Sequence, residues 1–432
     1  MIGPMRIACA LLFLVLLGAP ASAGPALDLA EARRRAAESS PRLREARSRV
    51  AEAGYRVDEA FAPAWPSLRL EAGYAHVDPE IEVALGPRPV QVVAADNYRV
   101  GLGLQQEILT FGRLGWATEA AGLSRQAAES ELRAAEQALW EETGLRYRDA
   151  LSALQAVEVA EDSLEAARAQ LRDSENLVDQ GVAAPFDVVR SRSEVLEAEQ
   201  ALLEARARRE TTHLRLAVLL GLPSDPPLEL APAPEVPPPP EGTGDAVAEA
   251  FRRRPELAAL RLGAEAAEAR VRLAASQDNP SLRLTSEYQR RNATGFTRDF
   301  QWSTGLQLQV PLFDGGLTAA RVGQAEEVAR QARARLEEAE RAIRIEVERT
   351  LLELRTAWNQ VRVARQKVQE LTEARRLANL RYQNGLSTQV ERLEAETAWT
   401  RARFGLVRSE LDYASTWTRW VRVAALPEGA QP

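Results

Sequence analysis

Residues 66–74 read Pro-Ser-Leu-Arg-Leu-Glu-Ala-Gly-Tyr, and residues 280–288 read Pro-Ser-Leu-Arg-Leu-Thr-Ser-Glu-Tyr. In the first, Leu68, Leu70, Ala72 and Tyr74 alternate with Ser67, Arg69, Glu71 and Gly73, which is the period of a strand. Upstream, Pro41 and Pro255 precede the two strings by the same distance, each near the start of an amphipathic Ala/Arg/Glu segment. Downstream, Gly103-Leu-Gln and Phe111 return as Gly305-Leu-Gln and Phe313, but the offset falls from 214 to 202. The first copy therefore carries extra residues between Tyr74 and Gly103, and residues 75–97 are expected to form a loop. Two long runs without proline follow, residues 112–180 and 316–384; they end at Gly181 and Gly385, and a second run follows each glycine.

A repeat on this scale defines the architecture before any single motif does. It predicts two tandem units, residues 24–222 and 245–426, each with two strands and a long helix pair. Between them, residues 223–244 hold Pro223, Pro226, Pro227, Pro232, Pro234, Pro237, Pro238, Pro239 and Pro240, which suits an extended linker rather than a helix or strand.

The partner strands alternate in the same way. Tyr98, Val100, Leu102, Leu104 and Ile108 oppose Arg99, Gly101, Gly103, Gln105 and Glu107; Trp302, Leu306, Leu308 and Val310 oppose Gln301, Ser303, Gly305, Gln307 and Gln309. Each segment has roughly the 10 residues that a tilted strand needs to cross a bilayer. Trp65, Tyr98, Phe111, Phe300, Trp302 and Phe313 lie near the strand ends. An ordinary half-buried antiparallel sheet shows the same alternation, so the strands alone leave both readings open. If the strands do cross a bilayer, four cannot close a barrel and open edges cannot face lipid, so copies must join.

The long runs have another period. Ile343, Val347, Leu354, Ala357, Val361, Ala364, Val368 and Leu371 recur at steps of three, four or seven, a coiled-coil seam. At about 1.5 Å per residue, such a run is roughly 100 Å long. Arg and Glu crowd the other faces at the spacing of intrahelical ion pairs. Alanine replaces leucine at many apolar positions, which suits a wall of closely packed helices better than a thick core.

Composition narrows the classes. Arg6, the apolar run 7–17 and Ala21-Ser22-Ala23 predict a signal peptide over residues 1–23, and hence export. Cys9 is the one cysteine and lies inside that run, so the mature chain would have no disulfide, thiolate metal site or cysteine nucleophile. No later stretch has about 18 consecutive apolar residues, which leaves strands as the way to span a membrane. The net charge is -7, and Lys367 is the only lysine among 55 basic residues, so no basic face for nucleic acid is expected. His76 and His213 are far apart and in no metal-ligand spacing; Gly101-Leu102-Gly103 sits inside a strand pattern. No enzyme, metal site or cofactor is predicted.

Strand pairs joined to long helix pairs, written twice, resemble the outer-membrane efflux protein family, the TolC-like outer-membrane factors. The similarity runs from about Leu27 to Ala425. It implies a mainly α fold with β-barrel strands. Three protomers would each give four transmembrane strands to a 12-stranded barrel and their coiled-coil helices to a periplasmic α-barrel tunnel. The implied function is a passive outer-membrane duct of a tripartite efflux or type I secretion system in a Gram-negative bacterium. Its partners would be a periplasmic adaptor (a membrane fusion protein), an inner-membrane transporter and outer-membrane lipid.

The helix-tip segments carry the closest match. Gly181-Val-Ala-Ala-Pro-Phe-Asp187 and Tyr382-Gln-Asn-Gly385, followed by Glu391-Arg-Leu-Glu394, are similar to the family's periplasmic turns. The resemblance implies that Glu391 and Glu394 ring the closed aperture, where carboxylates favour cations. It also implies that Asp187 and Tyr382 are gate contacts, together with a base two residues after Gly385; here that position is Ser387. From the residues alone, Glu391 and Glu394 equally suit a solvated first helical turn. Pro185 with Asp187 suits a helix start, and Tyr382 suits a seam position. A periplasmic coiled-coil adaptor or scaffold is the competing reading, although an adaptor would show one helical hairpin where this chain has two.

Overall fold

The computed structural model describes residues 26–85, 87–223, 229–242, 244–292 and 298–426. The predicted signal peptide, Pro226 and Pro227 lie outside the described residues. Helices α1 (Leu29–Ser39) and α2 (Pro41–Phe61) lead into strands β1 (Ser67–His76), β2 (Ile81–Leu85), β3 (Arg88–Val93) and β4 (Asp96–Leu109), then helices α3 (Arg113–Asp179) and α4 (Pro185–Leu219). After the proline-rich segment, α5 (Gly244–Arg253) and α6 (Pro255–Ala275) lead into β5 (Ser281–Arg291), β6 (Phe300–Gln309), α7 (Leu317–Gln383) and α8 (Gln389–Val423). Pro41 and Pro255 each open a helix, where the missing N–H costs nothing. Ser40 strengthens the first start by accepting from Leu43 N at 3.4 Å.

Helices α3 and α7 have 67 residues each and run the length of the molecule. Towards the sheet, α2, α3, α6 and α7 lie side by side; towards the far end, α4, α3, α8 and α7 do. The result is a helical wall with local cores rather than one thick core. One core joins Leu29, Leu43, Leu139, Tyr147 and Leu216; another joins Leu257, Val347, Leu354, Tyr413 and Trp420. Seam residues Ile343, Val347, Leu354, Ala357 and Val361 are buried, whereas Ala364, Val368 and Leu371 are half-buried as the wall thins towards the tips. Ion pairs bridge neighbouring helices as well as successive turns: Arg333–Glu268 (2.7 Å), Arg168–Glu199 (2.8 Å) and Arg403–Asp162 (2.6 Å). No helix among the described residues is long and apolar enough to cross a membrane.

The four long strands form one antiparallel sheet in the order β1-β4-β5-β6, with Leu102 opposite Tyr288 where the two halves of the chain meet. One face carries Arg69, Glu71, Arg99 and Glu287; the other exposes Leu70 (70%), Trp302 (74%) and Leu306 (68%). Strands β1 and β6 are both edges. The loop expected over residues 75–97 is instead largely strand. Its ends extend β1 and β4, and β2 and β3 pair with each other as a separate hairpin, because alternating Ile81, Val83, Val90 and Val92 supply β-branched side chains.

Residues 229–242 contain no helix and are strapped to the rest of the chain. Leu27 and Leu230 form a parallel bridge, and Tyr147 Oη donates to Ala231 O at 2.7 Å. Tyr413 Oη donates to Pro237 O.

Candidate gate at the helix tips

The chain turns at Gly181 and Gly385 by the same device. Gly181 has φ 71° and Gly385 φ 70°, a conformation that costs side-chain-bearing residues energy. Val182 N donates to Leu177 O (2.9 Å) and Gly181 N to Val178 O (2.9 Å); Leu386 N donates to Arg381 O (2.8 Å) and Gly385 N to Tyr382 O (3.0 Å). Both sets close the last helical carbonyls in a Schellman turn. The outgoing helices start differently, α4 with Pro185 and α8 with Thr388, whose Oγ1 accepts from Glu391 N at 3.3 Å.

The first turns of α8 divide by face. Gln389, Arg392 and Leu393 are buried, while Glu391 and Glu394 stand together on the exposed side. Three residues apart on a helix, these two carboxylates share a face. That face points away from the rest of the chain.

Asp187 and Tyr382 border one cavity of about 720 Å³ between the two tips. No hydrogen bond joins them among the described residues. Tyr382 is instead covered by Arg392, whose guanidinium carbon lies 4.3 Å from the ring centroid, a cation–π contact. Arg392 also reaches Asp173 of α3 at 4.0 Å. Burial pushes the Tyr382 hydroxyl pKa up, with Arg392 opposing and Asp187 and Asp173 adding to the rise. Burial lowers the Arg392 pKa, and Tyr382, Asp173 and Glu396 oppose that change. Ser387, in the position where the resemblance implies a base, has a buried hydroxyl with no partner. The cation near Tyr382 is instead Arg392, in the first turn of α8.

Gln389 makes the closest tie between the tips. Its Nε2 lies 2.7 Å from Ser191 Oγ, 3.2 Å from Asp187 O and 3.4 Å from Ser174 Oγ, so two amide hydrogens are shared among three acceptors on α3 and α4. Ser174 and Ser191 also bond each other at 2.9 Å. Buried polar groups of this kind are costly unless paired, so the contacts fix the register between the tips. Sequence reasoning missed Gln389, Arg392, Asp173, Ser174 and Ser191. The available signal was Gln389 and Arg392 occupying the face that Leu393 shares, where a seam would place apolar residues. Elsewhere, His76 lies 2.9 Å from Asp96 at the end of the sheet, and His213 is half-buried on α4. Among the described residues, no group of three His, Cys, Asp or Glu is arranged to hold a metal ion.

The model of the family described as outer membrane efflux protein matches residues 32–222 and 246–424. Protein CyaE of Bordetella pertussis is 27% identical over 386 residues, covering 87% of this chain and 79% of that protein. Alkaline protease secretion protein AprF of Pseudomonas aeruginosa is 27% identical over 75% of this chain and 69% of its own length. The solved outer membrane protein VceC of Vibrio cholerae matches with a TM-score of 0.77 at 22% identity, covering 92% of this chain and 95% of that one. At that identity the likeness is one of fold.

Proposed function

This chain belongs to the outer membrane efflux protein family, and we propose that three copies of it build a closed barrel in the outer membrane, continued by a helical tunnel in the periplasm. The protein is an outer-membrane duct for efflux or secretion. The sheet carries the trimeric reading. It exposes one apolar face and ends in two unpaired edges, β1 and β6. An open edge facing hydrocarbon leaves N–H and C=O groups unsatisfied, so β6 of one copy pairs with β1 of the next until the ring closes. With four strands per copy, three copies give 12. The units 24–222 and 245–426 are then two tandem repeats that contribute equally to one wall, with 223–244 as the strap between them.

The duct itself is passive. An inner-membrane transporter supplies energy, and a periplasmic adaptor connects the two. The likeness to a protein named for protease secretion supports export as the task. In the trimer, Glu391 and Glu394 put six carboxylates around one axis at the tunnel mouth, where they attract cations and repel anions. Opening moves the α7/α8 tip outward and separates Gln389 from Ser174 and Ser191, and Arg392 from Asp173. Asp187 and Tyr382 move apart with the cavity they share.

Membrane fractionation followed by SDS gels of heated and unheated samples tests the trimeric barrel. A heat-modifiable band of about three times the chain mass in the outer-membrane fraction is expected. A heat-insensitive periplasmic monomer would favour the coiled-coil adaptor reading and end this one.

A further inference from the structure

A second cavity, of about 330 Å³, lies midway along the wall, between α3, α7, α8 and the proline-rich strap. Arg148 of α3 borders it. The residue is only 6% exposed, and its Nε has no hydrogen-bond partner. No carboxylate among the described residues pairs with it. Burial is the main cause that lowers its pKa; the positive charge of Arg33 adds to the effect and Tyr147 opposes it. A guanidinium does not lose its proton in proteins. Leaving one buried and unpaired is costly, so the site is incomplete without a negative partner.

The lining shows which partner fits. Ser152 and Gln155, four and seven residues along the same helix face, add hydroxyl and amide donors. Opposite them, Trp358 and Tyr413 pack with ring centroids 5.1 Å apart, and Leu411 extends the apolar wall. The two acids on the lining do not fill the role. Glu410 is held by Arg365 at 2.9 Å, and Glu235 is exposed on the strap, where water screens it. A few convergent donors facing an aromatic wall in a cavity of this volume match a small-molecule site.

We propose that this cavity binds a small organic carboxylate, its oxyanion on Arg148, with Ser152 and Gln155 as further donors, and its apolar body against Trp358 and Tyr413. Such a ligand would tie α3 and the strap to α7 and α8. The site lies away from the helix tips and is independent of the proposed gate.

Titration calorimetry on the purified full chain in detergent, with sodium benzoate and separately inorganic phosphate at constant ionic strength, tests it. Saturable benzoate binding is expected, at least tenfold tighter than phosphate and weakened at least tenfold by Arg148→Gln. Leu411→Trp, which narrows the cavity and leaves Arg148 in place, is also expected to abolish it; this variant decides the matter should Arg148→Gln fail to fold. Absence of benzoate binding by the unmodified protein, or binding unchanged in a folded variant, overturns the site. Phosphate binding as tight as benzoate overturns the assignment of an apolar-bodied carboxylate.

Discussion

The two helix tips share a backbone and differ in chemistry. Gly181 and Gly385 make the same Schellman turn, with φ of 71° and 70°. The first tip exposes Val182 (73%) in its turn and Phe186 (69%) and Val189 (61%) on α4, whereas α8 inserts Gln389 and Arg392 into its neighbours and turns Glu391 and Glu394 outward. The dependence is one-sided: α8 reaches for Ser174, Asp187 and Ser191, all in the first half of the chain. Repetition therefore accounts for the scaffold, and the differences in the first turn of each outgoing helix account for where the proposed gate can move.

Removing the carboxylates should break this contrast most severely. Glu391→Ala with Glu394→Ala takes six charges from the proposed mouth. One unit charge at about 4 Å is worth about 1 kcal/mol even in bulk water, about fivefold in local ion concentration. The cation-over-anion permeability ratio from single-channel recordings is expected to fall at least about fivefold. Arg190→Ala, at the matching place after Gly181, should leave the ratio near its starting value. Unchanged selectivity in the double variant would remove the ring from the account.

Arg392→Ala comes next. It uncovers the Tyr382 ring and frees Asp173, contacts together worth about 1–2 kcal/mol at a partly desolvated site. A loss of that size corresponds to about 5–30-fold in an equilibrium, so the open fraction in single-channel records should rise by that order. Adding Ser387→Arg should reverse part of the effect, because the Ser387 hydroxyl is buried at the same cavity without a partner. An open fraction that ignores both changes would show that the cation near Tyr382 has no part in holding the tips.

What was legible in the sequence follows the same division. Alternation at Leu68, Leu70 and Tyr74 showed the strands, and the proline-free runs ending at Gly181 and Gly385 showed the helix pairs, because both patterns record which side meets water. Residues 81–93 were harder to read, since Pro89 interrupts the alternation that Val90 and Val92 resume and so hides the hairpin of β2 and β3. Gln389 and Arg392 left only the faint mark of sharing a face with Leu393, because a polar residue on a helix looks solvated until the structure shows Ser174 and Ser191 beside Gln389, and Tyr382 beside Arg392. Arg148 escaped notice for the same reason, as one arginine among many on a charged helix.

Gln389→Ala probes the tie itself at smaller cost. Removing the amide leaves Ser174 and Ser191 bonded to each other, and Ser174 still donates to Gln170 O at 3.0 Å, so only the link to α8 is lost. A buried neutral hydrogen bond contributes about 0.5–1.5 kcal/mol net. Amides around 385–393 should exchange with deuterium roughly 2–13-fold faster, and those around 181–191 by a similar factor. Faster exchange at one tip alone would mean that the two are not held by this contact.

A last pair of variants tests the sameness rather than the difference. Gly181→Ala and Gly385→Ala each force a Cβ into the left-handed region at a cost of about 1–2 kcal/mol, and neither added Cβ meets another atom within 4 Å. Steric crowding therefore adds nothing at either site, and backbone strain alone predicts equal destabilisation. The two single variants should lower the thermal midpoint of the solubilised protein by the same few degrees. A larger loss at Gly385 would show that its turn carries load from the Gln389 and Arg392 contacts, because strain there is passed to a tip that is held. A larger loss at Gly181 would reverse the direction of dependence, making the first tip the fixed one to which α8 is fitted.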